Sequence, residues 1–545
     1  MIDAPTGKHA KQFGAYYTDK KLAEFMLRWA VRNSEDTVLD PSFGGGVFIE
    51  AAAERLSELG GKVSQVKGVE LDACVHNQVA TEFASRYALP RSQLIQSDFF
   101  EVDASNMKSV DAVVGNPPYI RYQAFKTSRE KALERAKEQG VTLSALASSW
   151  ASFTVHSCSF LKPGGRLAFI IPAEIGHAPY ARPVLAYLLR SFEAVRLVTF
   201  RKRLFPDIAQ DALLLLADNK GSGPGSLHLK DFKAARDLNN HSDALEKIAG
   251  FEQLDAEKII SGKETLSHAF ISQEARRLYR DIRHVTLGEI AELSIGYVSG
   301  ANKFFHLSAA KAEALGIAKS YLKPAVFRGR ALKGLVFTKA DFVAAPPDSA
   351  GYLLHLDEGL KSESVKTYIE AAERQGVHLG YKCTSRSPWY RVPGVVVPDA
   401  FLTYMSGLYP QLVANAAGAT APNTLHVVRI KENADIDARS LSLLWNSSLT
   451  LLSTELEGHA LGGGMLKLEP SEAKAVKIAC SPSETFSKKD FARIDALLRA
   501  SKKEDAVREV DKLLQSQGLS AQDCETLRDA AELLRRRRYY KGGSA

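Results

Sequence analysis

Short apolar runs alternate with helical patterns between residues 20 and 220. The apolar runs are typical of buried strands, and the segments between them repeat apolar residues at the spacing of an amphipathic helix. The predicted strands lie in TVLDPSF, VKGVELD, SQLIQSDFF, DAVVGNPPY, GRLAFIIPAE, AVRLVTF and DALLLLADN. Strand and helix in alternation predict an α/β fold, with a doubly wound, mostly parallel sheet covered by helices on both faces.

The pattern changes along the chain, which at 545 residues is too long for one ordinary core. After the turn-rich NKGSGPGS, the run SLHLKDF predicts one further edge strand, and short apolar runs with many glycines and prolines begin near residue 286. We therefore predict a first domain over residues 1–235, a helical connector over 236–285, a second, α+β domain over 286–484 and a helical, charged C-terminal segment over 485–545.

Composition excludes several classes of protein. The chain is 45% hydrophobic and 25% charged, as is normal for a globular protein, and no apolar run approaches the roughly 20 residues that span a bilayer. The N-terminus, MIDAPTGKHAKQFG, lacks the apolar core of a signal peptide. The five cysteines form no CxxC pair, which argues against a zinc ribbon or a disulfide framework. We expect a cytoplasmic protein with no membrane partner and no metal site.

The net charge is +8 and the isoelectric point is about 9.0. This balance favours an anionic partner, although a basic, solvated surface explains it equally well.

One strand end is followed by a glycine cluster and a helix, in LDPSFGGGVFIEAA. Asp40 is predicted to end the strand, and Gly44 and Gly46 lie in the cluster. Glycine lets a backbone approach a ligand closely, and the N-terminus of the following helix favours negative charge.

The next two predicted strands also end in chemically useful residues. GVELD places Glu70 and Asp72 where a carboxylate can hold two ribose hydroxyls, and SDFF supplies Asp98 for an exocyclic amine and Phe99 for an adenine ring. Each residue alone also fits an ordinary cap or a core aromatic. Together they predict a nucleoside cofactor at the carboxyl edge of the sheet.

The run DAVVGNPPYIRY stops a predicted strand with two prolines, which cannot donate hydrogen bonds to a ladder. Asn116 offers a side-chain oxygen, and Pro117 offers a backbone carbonyl whose direction a rigid turn with Pro118 would fix. Two such acceptors can hold both protons of an –NH₂ group and stabilise charge that develops on its nitrogen. Tyr119 supplies a ring on which a planar substrate can stack.

With these motifs in order, the sequence resembles the DNA adenine-N6 methyltransferases of bacterial restriction-modification systems, in the motif order called gamma. FGAYYTDKKLAEFM resembles the N-terminal motif that brings Tyr17 and Thr18 to the cofactor, although Asp19 stands where the family often has proline. LFPDIAQDALLLL resembles the motif whose aromatic, here Phe205, packs against a flipped base. The resemblance implies S-adenosyl-L-methionine as cofactor and a Rossmann-like class I methyltransferase domain with a seven-stranded sheet.

The resemblance also implies double-stranded DNA as substrate and a target-recognition domain after the catalytic one. It is compatible with a cognate restriction endonuclease as partner. Looser matches, SYLKPAVFRGRAL, CTSRSPWYRVPG and GHALGGGMLKLEP, lie in the second domain. They supply candidate DNA contacts, which also fit a solvated basic surface with core aromatics: Arg328, Arg330, Lys382, Arg386, Trp389, Tyr390 and Arg391. The tail, with Arg535 to Arg538, fits DNA or a partner protein.

Two alternatives share the same chemistry. NPPY also occurs in methyltransferases that modify the side-chain amide of glutamine in proteins. An RNA adenine methyltransferase must likewise hold and methylate an –NH₂ group. Some 250 residues of basic, aromatic-containing sequence after the catalytic domain favour DNA over protein glutamine. A fused nuclease is disfavoured because neither end shows a metal-binding acidic constellation, and a DNA-binding module without catalysis is disfavoured because every proposed catalytic position is filled.

Overall fold

The computed structural model describes residues 18–120, 128–205, 211–240, 250–356, 362–461, 464–479, 486–515 and 519–540. The chain forms two compact units: the first contains the described residues up to Ala269 together with Tyr540, and the second runs from Phe270 to Tyr539. The predicted connector over 236–285 is therefore divided between the two units. The predicted C-terminal segment belongs to the second unit as far as Tyr539.

The first unit is built on a nine-stranded sheet with the order β3-β2-β1-β4-β5-β7-β6-β8-β9. Pairing is parallel from β3 through β5 and between β6 and β8, whereas β7 and β9 run antiparallel to their neighbours. The strands are β1 (Val38–Asp40), β2 (Val66–Glu70), β3 (Leu94–Gln96), β4 (Val110–Gly115), β5 (Leu161–Pro172), β6 (Phe192–Phe200), β7 (Ala212–Lys220), β8 (Ser226–Phe232) and β9 (Glu252–Leu254).

The helices of the first unit occupy the segments between these strands, as the hydrophobic pattern predicts. They are α1 (Lys20–Ala30), α2 (Val47–Glu58), α3 (Ala73–Tyr87), α4 (Arg129–Glu138), α5 (Ser149–Ser159), α6 (Arg182–Ser191) and α7 (Ala256–Ser261). The α/β prediction is confirmed. The sheet has nine strands rather than seven, because SLHLKDF forms β8 beside β6 and a short strand from the predicted connector pairs with it.

The parallel register brings the chemically useful strand ends to one edge. Asp40, the last residue of β1, is level with Gly68 of β2, two residues before Glu70. On the other side, Leu39 is level with Val113 of β4, which ends at Gly115 directly before the two prolines. The strands are buried on both faces, so the edge is where polar groups can emerge.

The second unit contains several small sheets. A five-stranded sheet has the order β11-β19-β16-β18-β14, two three-stranded sheets have the orders β12-β15-β13 and β17-β21-β20, and β10 pairs with β22. The strands are β10 (Val285–Thr286), β11 (Ala291–Ile295), β12 (His306–Leu307), β13 (Leu322–Val326), β14 (Val336–Phe337), β15 (Ala350–Leu354), β16 (Ala400–Thr403), β17 (Met405–Ser406), β18 (Leu412–Asn415), β19 (Leu425–Ile430), β20 (His459–Ala460), β21 (Leu466–Lys467) and β22 (Lys477–Ile478).

The helices of this unit are short until its C-terminal part. They are α8 (Gln273–Asp281), α9 (Leu287–Ile290), α10 (Asn302–Phe305), α11 (Ala309–Ala314), α12 (Lys339–Ala344), α13 (Glu363–Arg374), α14 (Tyr381–Thr384), α15 (Ala438–Leu444), α16 (Ser448–Glu457), α17 (Pro470–Ala475), α18 (Lys488–Arg499), α19 (Lys503–Gln515) and α20 (Ala521–Tyr540). No helix in the described ranges combines the length and apolarity that crossing a membrane requires.

The last three helices complete the core of the second unit. Ile494, Val510 and Leu527 are fully buried in the same cluster as Trp445. Near the end of α20, Arg538 makes a buried ion pair with Glu455 of α16, at 2.7 Å. The same guanidinium donates to the carbonyl oxygens of Gly407, at 2.7 Å, and of Gly464. Arg538 therefore ties the final helix to two loops and one helix of the unit.

We expect Arg538→Met to lower the free energy of unfolding of the second unit by about 3–5 kcal/mol, because it leaves the Glu455 carboxylate buried without its partner. Urea titration followed by circular dichroism measures this loss. Arg536→Met is the matched control, since 74% of the Arg536 side chain is exposed. Equal midpoints for the two variants would contradict a structural role for Arg538.

Candidate active site

The glycine cluster forms a loop that turns from β1 into α2. Gly46 is the N-cap of α2 and has φ +83°, and a Cβ at this position would lie 3.1 Å from the side chains of Phe83 and Val79. Gly44 has φ +50°, and a Cβ there would meet no atom within 4 Å. Gly46 is therefore required for close packing against α3, whereas Gly44 borders open space beside the helix N-terminus.

Asp40 lies at the start of this loop and is 2% exposed. Its Oδ1 accepts a hydrogen bond from the backbone N–H of Ser42 at 3.0 Å. Its Oδ2 has no partner among the described residues. Burial raises the pKa of Asp40 to about 8, and the negative charge of Glu70 adds to this effect. A buried carboxyl oxygen without a partner is a position at which a ligand with a positive charge or an N–H group can bind.

Glu70 connects the loop to the neighbouring strand. Its Oε2 accepts from the backbone N–H of Gly44 at 2.9 Å, and its Oε1 accepts from that of Asp72 at 2.9 Å. Asp72 itself caps α3 by accepting from the backbone N–H of Cys74 at 2.8 Å and of Val75 at 3.1 Å. Glu70 thus fixes the shape of the glycine loop, and Asp72 serves as a helix cap.

Asp98 and Phe99 follow β3. Asp98 accepts from the backbone N–H of Phe100 at 3.0 Å and from the hydroxyl of Ser128. Phe99 is 3% exposed and lies in an aromatic cluster, with ring centroids 4.7 Å from His156 and 4.8 Å from Phe153. Its contacts are those of a core aromatic, so the cluster holds the turn that carries Asp98.

His156 anchors the same turn from α5. Its Nε2 lies 3.2 Å from the carbonyl oxygen of Phe99 and 3.1 Å from that of Val102. Burial lowers the pKa of His156 to about 4, so the ring is neutral at physiological pH. His156 is thus a structural residue.

Asn116 follows β4 directly and is partly buried. Its Nδ2 lies 3.4 Å from the hydroxyl oxygen of Thr18. Thr18 precedes Asp19, whose carboxylate caps α1 by accepting from the backbone N–H of Lys21 at 3.0 Å. The structure therefore brings the N-terminal motif and the proline turn together, and Asp19 begins the helix where the family often has proline.

The hydroxyl of Tyr119 lies within the turn, 2.8 Å from Oδ1 of Asn116 and 3.0 Å from the carbonyl oxygen of Ile170 in β5. The side chain is buried, with 7% exposed. Gly115 allows this arrangement, because a Cβ there would lie 3.0 Å from Oδ1 of Asp40. Asp40 and the proline turn are therefore neighbours across β1 and β4.

Ser149, at the first position of α5, holds the same turn. Its hydroxyl bonds to the carbonyl oxygen of Pro118 and accepts from the backbone N–H of Ile120 at 2.9 Å, and its own N–H donates to the carbonyl of Ile120 at 3.0 Å. No motif in the sequence singles out Ser149. It lies in a serine pair before Trp150, which is also the signal of an ordinary helix start.

Phe205 is partly buried and packs against the core cluster that includes Phe200. Tyr17 lies outside the described residues.

The candidate DNA contacts of the second unit fall into two groups. Arg386 donates to the backbone carbonyl of Ser299 at 2.8 Å and to that of Val298, and Trp389 donates to Glu373 at 2.7 Å. Arg330 bonds to Asp348 and Ser349. These three residues are committed to internal contacts. Those that the structure leaves exposed without a carboxylate partner among the described residues are Arg328, Lys382 and Arg391.

Tyr381 and Leu379 form an exposed apolar pair beside Lys382, with 82% and 68% exposed. The Lys382 ammonium lies 5.3 Å from the Tyr381 ring centroid. Tyr381 and Lys382 lie in the same short helix as Cys383, which is buried. Sequence reasoning missed this pair, because a lone tyrosine between glycine and lysine resembles any core aromatic.

The arginines of the tail make internal contacts. Arg535 lies over the Tyr409 ring at 4.3 Å, Arg537 lies over the Phe270 ring at 3.7 Å, and Arg538 is buried. Arg536 is exposed and pairs with Glu532 at 2.6 Å. The arginine run therefore stabilises the second unit, and Arg536 is the member that solvent reaches most.

Two families match the chain, one in each part. Residues 1–178 match the family described as N-6 DNA Methylase, and residues 263–515 match the C-terminal domain of type II methyltransferase M.Eco57I.

Similar proteins of the same kind span most of the chain. Type II methyltransferase M.AccI of Acinetobacter calcoaceticus is 23% identical over 85% of this chain and 85% of its own length. Type II methyltransferase M.XamI of Xanthomonas campestris pv. amaranthicola is 25% identical over 87% of this chain and 86% of its own. The type IIL restriction-modification enzyme MmeI, solved in complex with DNA, shares the fold with a TM-score of 0.54 at 10% identity, over 95% of this chain and 75% of that one.

Proposed function

Since the chain is an adenine-N6 DNA methyltransferase of the type II restriction-modification class, we propose that it methylates an extruded adenine with Asn116 and Pro117 as the acceptors of the amine protons. The observation that carries this proposal is the position of Asn116 at the end of β4, directly after Gly115, which lies next to Asp40 at the same sheet edge. The match of residues 263–515 to a DNA methyltransferase domain favours DNA over protein glutamine or RNA.

The N-6 DNA methylase family uses S-adenosyl-L-methionine, and the residues of the first unit fit this cofactor. The unpartnered Oδ2 of Asp40 suits its cationic end, Gly44 borders open space, and Glu70 has lone pairs left for ribose hydroxyls. Asp98 is placed to contact the adenine. When bound, the cofactor supplies an electrophilic methyl group on sulfonium sulfur.

The side chains then act on the substrate nitrogen. A carbonyl oxygen accepts two hydrogen bonds, so Oδ1 of Asn116 can take one from Tyr119 and one from the adenine amine. The carbonyl oxygen of Pro117 accepts the second amine proton, and the nitrogen lone pair then points away from both acceptors. The same dipoles stabilise the positive charge that forms when the nitrogen is alkylated, before it loses a proton to water.

The target adenine must leave the duplex, which costs a few kcal/mol in pairing and stacking. Tyr119 and Phe205 offset part of this cost if their rings contact the extruded base. Phosphate contacts from exposed Lys and Arg residues supply affinity that falls with salt concentration. We propose that a separate restriction endonuclease is the functional partner and that the protein is located in the cytoplasm.

We propose that the second unit contacts DNA through the tip formed by Leu379, Tyr381 and Lys382. Residues 373–399 contain four Lys or Arg residues and two acidic residues, Glu373 and Asp399, so this segment carries a net positive charge. An exposed aromatic ring next to positively charged side chains can contact both the planar bases and the phosphates of a nucleic acid.

Asn116→Ala should lower the turnover number by about 10²- to 10³-fold, because one preorganised acceptor is lost, and leave the cofactor Kd unchanged. Labelled cofactor is incubated with genomic DNA, and modified adenines are mapped by single-molecule sequencing. Asn77→Ala, on the exposed face of α3, is the control. Full turnover by Asn116→Ala, or label in protein or RNA but not in DNA, contradicts the proposal.

Cofactor binding at pH 7 should release close to one proton. The Asp40 carboxyl is mostly protonated in the free protein, since its pKa is raised to about 8, and a bound cation favours the carboxylate. Affinity should therefore rise with pH between 6 and 8. Calorimetry in two buffers with different ionisation enthalpies measures the release.

Asp40→Asn should abolish this proton release, because the amide does not titrate. Asp103→Asn is the control, since hydrogen bonds from Ser105 and Arg135 lower the pKa of Asp103 to about 2 and it is already ionised. A release by Asp40→Asn equal to that of the unmodified protein would exclude Asp40 as the source.

Tyr381→Ala should weaken binding to duplex DNA about tenfold, because contact between an aromatic ring and bases contributes about 1–3 kcal/mol. Fluorescence anisotropy at fixed salt measures the Kd. Val343→Ala is the matched control, because Val343 is equally exposed at 82% in the same unit. Unchanged DNA affinity, or loss of binding to a partner protein alone, would remove the tip from the DNA surface.

A further inference from the structure

The proline turn at the end of β4 lacks the backbone donors that normally hold a strand end. Neither Pro117 nor Pro118 has an N–H group, so the positions of the Pro117 carbonyl and the Asn116 side chain depend on other contacts. The carboxamide torsion of an asparagine is broad and has two nearly equivalent orientations. Without hydrogen bonds, the carboxamide oxygen of Asn116 would not keep one direction.

Besides the 3.4 Å contact between Asn116 Nδ2 and the Thr18 hydroxyl, two further hydroxyl groups, those of Ser149 and Tyr119, hold this turn. The Ser149 hydroxyl bonds to the carbonyl of Pro118 and accepts from the N–H of Ile120, and the side chain is 1% exposed. With its backbone N–H, Ser149 makes three hydrogen bonds to the turn. The peptide groups on the C-terminal side of Pro117 are thereby fixed to the start of α5.

The Tyr119 hydroxyl lies on the other side of the turn, at 2.8 Å from the Asn116 oxygen and 3.0 Å from the Ile170 carbonyl. Its single proton can be shared between these two acceptors in a three-centre hydrogen bond, which holds the Asn116 oxygen to the tyrosine and the tyrosine to the central strand β5. Methyl transfer needs acceptors held within about 0.5 Å of their productive position. Such precision is what these two hydroxyls can provide.

We propose that the hydroxyls of Tyr119 and Ser149 are positioning groups for methyl transfer. Tyr119 sets the rotation of the Asn116 carboxamide, and Ser149 sets the direction of the Pro117 carbonyl. The inference rests on the proposed roles of Asn116 and Pro117. It assigns to Tyr119 a task separate from contact between its ring and the base, and it assigns a task to Ser149, which lies outside the proline motif.

The test uses Tyr119→Phe, which keeps the ring and removes the hydroxyl, and Ser149→Ala. Each should lower the single-turnover rate about tenfold, as expected for the loss of one neutral hydrogen bond at the reacting centre. The cofactor Kd, the KM for DNA and the unfolding midpoint should stay within twofold or 2 °C of the unmodified protein. An adenine analogue, 2-aminopurine, at the mapped target should report unchanged base extrusion in Tyr119→Phe.

Two variants control for the loss of a buried hydroxyl. Tyr187→Phe removes one from α6, and Ser152→Ala removes one from α5 at a residue that is 2% exposed. Both should retain the full single-turnover rate. If these controls slow methyl transfer as much as Tyr119→Phe and Ser149→Ala do, the loss of rate is a general effect of core packing, and the proposal is overturned.

The outcomes separate this inference from the proposed function. If Asn116→Ala is inactive while Tyr119→Phe and Ser149→Ala transfer methyl groups at the unmodified rate, the positioning role is wrong and the catalytic role stands. If Asn116→Ala itself retains full turnover, the catalytic assignment fails first. A fall in rate accompanied by an equal loss of cofactor binding or stability also overturns the positioning role.

Discussion

A strand end without backbone donors is the constraint on which the first unit depends. The two prolines after β4 cannot join a ladder, so their turn is free to present carbonyl oxygens at the sheet edge. The turn gains its order from neighbours: Ser149 on one side and the Tyr119 hydroxyl against β5 on the other. The turn is thus held by the hydroxyl and N–H groups of Ser149 and by the bond from Tyr119 to Ile170, since neither proline can contribute a donor.

The part of the same edge that carries Asp40 and the glycine loop differs from the proline turn. There Asp40 is buried with an oxygen that no described residue satisfies, and burial raises its pKa to about 8. The glycine loop next to it is held by Glu70 through the N–H of Gly44. The proline turn is therefore held by several hydrogen bonds, whereas Asp40 keeps one oxygen without a partner among the described residues, at a position where a cation can bind.

The sequence predicted the features that depend on residues close to one another in the chain. Strand and helix alternation, the glycine turn and the proline turn each depend on neighbouring residues, and Asp40, Glu70 and Asn116 lie at one edge as predicted. The internal use of Arg386, Trp389 and Arg538 could not be predicted, because it depends on carbonyls and carboxylates distant in sequence. The exposure of Tyr381 and the bonds of Ser149 have the same origin in tertiary structure.

The ion pair between Arg538 and Glu455 has a consequence for the cooperativity of unfolding. Arg538 lies 83 residues after Glu455, and its guanidinium also binds the loops at Gly407 and Gly464. Removal of Arg538 would leave Glu455 buried without its partner and would release both loops at the same time. The last helix, the two loops and the helix that carries Glu455 are therefore expected to unfold together as one cooperative group.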